Sequence, residues 1–96
     1  MIGSEKQIKW AEEIKKQAIA AALKPYAILA AAEIIYNAYE SAEIADAHFI
    51  LDHEISDEEA ARLVNAAADT HAEAKWWIEH RPEIDLAKDV AAKFFN

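Results

Sequence analysis

Four histidines and 18 acidic side chains in a chain of 96 residues are the raw material for metal or acid–base chemistry. His48 and Asp52 stand four apart, as do His53 and Asp57. Two ligands one helical turn apart can share a metal ion. The Glu-x-x-His pair of a dinuclear bundle and the His-Glu-x-x-His motif are both missing. The spacing therefore reads as helix-surface hydrogen bonding, and no metal or cofactor is expected. Carboxylate pairs such as Glu40/Glu43 and Glu58/Glu59 fall where solvent faces and helix first turns need acids. A catalytic carboxylate requires a cleft that shifts its pKa, and a short alanine-rich chain has little room for one. Ser4 and Ser56 are placed as helix caps. One glycine cannot build a phosphate-binding loop, and the absence of cysteine excludes thiolate chemistry and disulfides. No catalytic residue is assigned, and the chain reads as a non-enzyme.

Charge carries a clearer signal than motif. The net charge is −8, and it is unevenly spread. Residues 1–24 hold five lysines against three glutamates. Residues 25–61 hold nine acids and neither Lys nor Arg. Such a stretch repels a phosphate backbone, so direct nucleic-acid binding is not expected. It suits a basic partner surface, or serves solubility alone. A row of carboxylates on a rigid helix, Glu33, Glu40 and Glu43, can imitate DNA phosphates and occupy a basic nucleic-acid-binding groove. The N-terminus MIGSEKQIKW lacks the apolar core of a signal sequence. No uncharged apolar run approaches the ~18 residues of a membrane span. A cytoplasmic location and no membrane partner are the expectations.

These residues need elements to position them. Twenty-three alanines favour helix, because alanine loses no side-chain entropy there. The few large side chains must then carry most of the burial. Ser4 followed by Gln7 is a capping-box pattern. Trp10, Ala11, Ile14, Ala18, Ala21 and Ala22 share one face of the helix it opens. Pro25 stops that helix and suits the first turn of the next. There Ile28, Ala31, Ile35, Ala38, Ala42, Ala45 and Phe49 form an inward stripe. Ile44 and Leu51 fall on its polar side and are expected to meet a partner. Together with Tyr36 and Tyr39 they could form a homodimer seam. Ser56, with acids at 57–59, combines an N-cap, a capping box and a favourable dipole. The stripe Ala60, Leu63, Val64, Ala67, His71, Ala74, Ile78 then runs on to Arg81. A break near Asp69–Thr70 is the alternative, with Thr70 and Glu73 capping a new helix; one continuous helix is expected. His71 reads as a hydrogen-bonded core histidine. Leu86, Val90 and Phe94 close the fold. The reading is all-α: one domain, residues 1–96, an antiparallel bundle of about four helices over residues 4–23, 25–53, 57–80 and 83–95.

Trp76 and Trp77 point about 100° apart on a helix, so only one can face the core squarely. Trp77, nearer Ala74 and Ile78, is the core candidate. Trp76 shares its side with His80 and is the binding candidate, because tryptophan is enriched at interaction hot spots. The stretches SEKQIKWAEEI (4–14) and AKWWIEHR (74–81) resemble the two ends of a small helical module of phages and mobile elements. Its pattern is E-K-Q-x-x-W-A-x-x-I early and A-x-W/F-W-I-x-x-R later, and it covers about 19 of the 96 residues. The resemblance implies a mobile-element origin more than an activity. It implies that Trp10, Ile14, Trp77 and Ile78 meet in the core, and that Glu5 or Glu12 pairs with Arg81. Together with the acidic centre it suggests an anti-CRISPR-like inhibitor. A structural, self-associating module is the alternative.

Overall fold

The computed structural model describes residues 1–38 and 56–93, with side chains for 1–35 and 56–93. These residues form an all-α bundle with five helices and no strand. They are α1 (Glu5–Ala22), α2 (Ala27–Ala38), α3 (Asp57–Asp69), α4 (Ala74–His80) and α5 (Leu86–Ala92). α1 packs chiefly on α4, while α2 and α3 both pack on α5. Among the described residues no single helix is long and apolar enough to cross a membrane.

The helix starts follow from their caps. The Ser4 hydroxyl accepts from the Gln7 amide at 3.2 Å, and the Ser4 amide donates to Gln7 Oε1 at 3.1 Å. The expected capping box is thus complete. At α3 only half of one forms. The Glu59 amide donates to Ser56 Oγ at 3.2 Å, but the Glu59 carboxylate turns to Arg62, which donates through Nε at 2.9 Å and through Nη2. Arg62, one turn on, outcompetes the neutral Ser56 amide because its guanidinium is charged and forked. Hydrogen bonding to Arg62 holds the Glu59 carboxyl below the usual carboxylate range. The pair's small stabilisation is therefore present at neutral pH and fades as pH falls through that lowered value. Ser56→Ala is expected to lower stability by about 1 kcal/mol. Thermal melting followed by circular dichroism checks this, and Ser56→Asp should retain the wild-type midpoint.

Two boundaries differ from the sequence reading. α2 begins at Ala27, not at Pro25. Between the helices, Tyr26 takes a left-handed conformation with φ 63°, uncommon for a non-glycine residue. The chain axis bends by 77° between α1 and α2, so this pair does not run antiparallel. The second difference is a break in the expected helix over 57–80. α3 ends at Asp69, and α4 starts only at Ala74. No proline or glycine forces the break. The Thr70 hydroxyl donates to the Ala67 carbonyl at 2.7 Å. Outside the helix, the Ala72 carbonyl accepts from the Ile2 amide and the Ala74 amide donates to the Ile2 carbonyl, both at 2.8 Å. The N-terminal strap thus supplies polar partners that an unbroken helix would have supplied itself. Glu73 occupies the N-cap of α4, but its side chain makes no capping bond.

The core is thin, as the alanine content requires. Its buried members are Ala11 and Ala22 on α1, Ile28 and Ala32 on α2, Val64, Ala67 and Ala68 on α3, Ala74 and Trp77 on α4, and Leu86, Ala87, Val90 and Ala91 on α5. Ile14, Ala18, Ala31, Ile35, Ala60 and Leu63 pack against it from the edge. Helices separated by alanine approach closely, so four large side chains, Trp77, Leu86, Val64 and Val90, fill its centre.

Candidate binding surfaces

An aromatic cluster sits where the N-terminal strap crosses the α3–α4 junction. Trp77 is the inward tryptophan, with no exposed surface. Its indole Nε1 donates to the His71 carbonyl at 2.9 Å. Trp76 is half-buried and stands edge-on to Trp77, ring centres 5.0 Å apart. Two imidazoles stack against its ring. His71 stacks at 3.4 Å with planes 6° apart. His80 stacks at 4.8 Å with planes 20° apart, fixed by its Nδ1 at 2.9 Å from the Trp76 carbonyl. His71 is therefore not the helical core histidine expected. It lies in the junction, half-buried, and its part in the core is stacking. Trp76 is half-buried, and both of its imidazole stacking partners come from its own chain.

The residues singled out at the two ends do meet, in a different arrangement from the one implied. Ile14 and Trp77 are in or against the core. Trp10 is 47% exposed, and the Arg81 guanidinium lies over its ring at 4.8 Å. Arg81 thus pairs with an aromatic face, a cation–π contact, where Glu5 or Glu12 was expected. The described ion pairs are Lys15–Asp69 at 2.9 Å, Glu59–Arg62, and Lys75–Glu79 at 3.7 Å. The first of these ties α1 to the end of α3. Each has at least one solvent-exposed partner, and such pairs are individually weak.

Of the proposed acidic surface, Glu33 is described. It is exposed on α2, turned away from buried Ile28 and Ala32. Asp57, Glu58 and Glu59 open α3. These acids lie on two helices joined through α5. Glu40, Glu43, Ile44 and Leu51 lie outside the described residues, as do Tyr39, Phe49, Phe94, His48, Asp52 and His53, and so does the side chain of Tyr36. Among the described residues no three His, Asp or Glu side chains are grouped to hold a metal ion.

A trough of about 520 Å³ opens between the C-terminal half of α1, the start of α2 and the Pro82–Leu86 connection. Alanines from α1 and α2, notably Ala18, Ala21 and Ala31, line it with Ile34 and Ile84, and Glu83 and Asp85 join the lining. Ile34 is 71% exposed. The Asp85 side chain accepts from the Lys88 amide at 3.0 Å through Oδ1, capping α5. The sequence reading sought off-stripe apolar residues later in helix two and missed Ile34. Its signal was an isoleucine next to Glu33, on the face opposite Ala32.

Fold and surfaces define an all-α bundle. Compared with known proteins, the chain matches no family model, no curated protein and no solved structure.

Proposed function

We propose that the chain is a non-enzymatic, acidic protein-binding module. Its acids engage a basic surface, in the first place the nucleic-acid-binding groove of a bacterial host protein. In this reading it acts as a mobile-element inhibitor of the anti-CRISPR kind. The observation that carries the reading is the run of residues 25–61, nine acids with neither Lys nor Arg. Exposure of Glu33 on the outer side of α2 supports it. Fixed carboxylates on a rigid helix present a patterned negative potential, which governs encounter and specificity with a basic partner.

The test is a pulldown from bacterial lysate with tagged protein at low and moderate salt. The expected result is capture of a nucleic-acid-binding protein that added DNA and higher salt both displace. Reversing Glu33, Glu40 and Glu43 to lysine should abolish capture. Capture that survives the triple reversal would overturn the reading. Self-association through Ile44 and Leu51 is the competing reading, and a monomer in the ultracentrifuge at high protein concentration would remove it.

A further inference from the structure

We propose that the trough between α1, α2 and the Pro82–Leu86 connection seats an amphipathic helix of a partner protein, apolar on its inserted face and bearing Lys or Arg along its flank. The proposal rests on the protein-binding reading and adds the seat that reading lacks. Three observations carry it. The trough is lined by Ala18 and Ala21 on one side and by Ala31 and Ile34 on the other. Small residues at helical spacing leave grooves that the side-chain ridges of another helix can enter. Ile34 stands at one edge, 71% exposed, while neighbouring Ile28 and Ala32 are buried in the core. It is a large apolar side chain offered outward, the kind of anchor that helix-in-groove recognition uses.

Charge selects the occupant. Glu83 and Asp85 line the trough, and among the described residues no Lys or Arg does. One oxygen of Asp85 caps α5, which leaves the other as an acceptor. Glu33, next to Ile34 in sequence, is exposed on the same helix but does not line the trough. A second copy of the chain would bring a net charge of −8 to this trough, and like charges across an interface oppose association. A basic-flanked helix meets both the apolar lining and the acids.

The probe is a fluorescein-labelled Leu/Lys amphipathic peptide of about 14 residues, long enough to form helix on docking. Two controls accompany it: a Lys/Ser peptide of equal charge and a Leu/Glu peptide of equal pattern. Fluorescence anisotropy should show binding of the Leu/Lys peptide alone. Ile34→Asp should weaken it at least about tenfold, equivalent to about 1.4 kcal/mol. Ala30→Arg, placed on an exposed lining residue, should do the same, and circular dichroism shows that each variant keeps its helices. Glu83→Lys should weaken binding and flatten its salt dependence.

Failure of the seat and failure of the wider reading separate cleanly. If the Lys/Ser peptide binds as well as Leu/Lys, or if both Ile34→Asp and Ala30→Arg bind normally, charge alone recruits the peptide. The trough proposal then falls while the acidic-module reading stands. Equal binding of the Leu/Glu peptide, or no binding of any peptide, overturns the proposal as well. A wild-type dimer that Ile34→Asp dissociates would make the occupant a second copy, which also overturns it. Lysate capture with DNA competition tests the wider reading independently.

Discussion

Trp77→Ala is expected to lower stability by about 3–5 kcal/mol, the range for truncating a large buried aromatic. A domain of this size has about 5–15 kcal/mol in total, so the variant should be marginally folded. The argument starts from composition. Twenty-three alanines leave the core few large members, and Trp77 is the largest of the four that are fully buried. Its removal would leave a cavity bounded in part by the Trp76 and His71 rings that stand edge-on to it, in a core otherwise rich in alanine. The indole also performs a polar task. Its Nε1 donates to the His71 carbonyl at 2.9 Å, holding the junction where the backbone leaves the helix. Trp77→Phe separates the two contributions. It keeps an aromatic ring and strips the His71 carbonyl of its donor, for an expected loss of about 1–3 kcal/mol. Urea unfolding followed by far-ultraviolet circular dichroism ranks the three proteins. Equal midpoints for wild type and Trp77→Phe would show that the hydrogen bond contributes nothing net. A Trp77→Ala midpoint close to wild type would displace Trp77 from the centre of the core.

The features that sequence resolved are those set by local chemistry. Ser4 and Gln7 form the capping box that their spacing demands, and Ser56 caps α3. The choice of Trp77 over Trp76 for the core follows from the 100° step between them and agrees with their burial. What escaped is set by contacts distant in sequence. The stripe through Ala67, His71, Ala74 and Ile78 stays in helical register across the break, so periodicity gives no warning of it. The break is held by Ile2, about 70 residues upstream, whose backbone bonds reach Ala72 and Ala74. Thr70, read as part of a cap opening a new helix, instead closes α3, its hydroxyl donating to the Ala67 carbonyl. Trp10 shares the inward face of α1 by angle, yet lies under Arg81 at its rim. An aromatic face covered by a guanidinium satisfies that position without full burial. A helical wheel cannot foresee it, because Arg81 belongs to a different helix end. The acidic run was legible as charge, and of its proposed surface row Glu33 is described and exposed. The trough beside it was not, since it is formed by alanines that count as core on any wheel.

Gly3→Ala is expected to destabilise the protein by about 1–3 kcal/mol, the range for a non-glycine residue forced into sparsely populated backbone space. Two constraints converge on Gly3. Its φ is +153°, a conformation that L side chains seldom adopt. A Cβ there would also lie 2.9 Å from Ala74 Cβ and 3.3 Å from Gln7 Oε1. The first contact requires the strap to move off α4, which stretches the Ile2–Ala72 and Ile2–Ala74 hydrogen bonds. The second presses on the acceptor that completes the α1 capping box. Damage should therefore be local before it is global. In amide hydrogen exchange, Ile2 and Ala74 should lose protection, while amides in the middle of α3 fall only with overall stability. The melting temperature should drop by about 4–8 °C for each kcal/mol lost. The double variant Gly3→Ala/Ala74→Gly isolates the steric part. Removing the Ala74 methyl relieves the 2.9 Å approach and leaves the backbone strain untouched. If close contact dominates, the double variant should be more stable than the sum of the two single losses predicts, the positive coupling expected of residues in contact. Strict additivity would assign the whole effect to backbone conformation. Wild-type melting of the Gly3→Ala variant, with full protection at Ala74, would mean that the strap does not hold the α3–α4 junction.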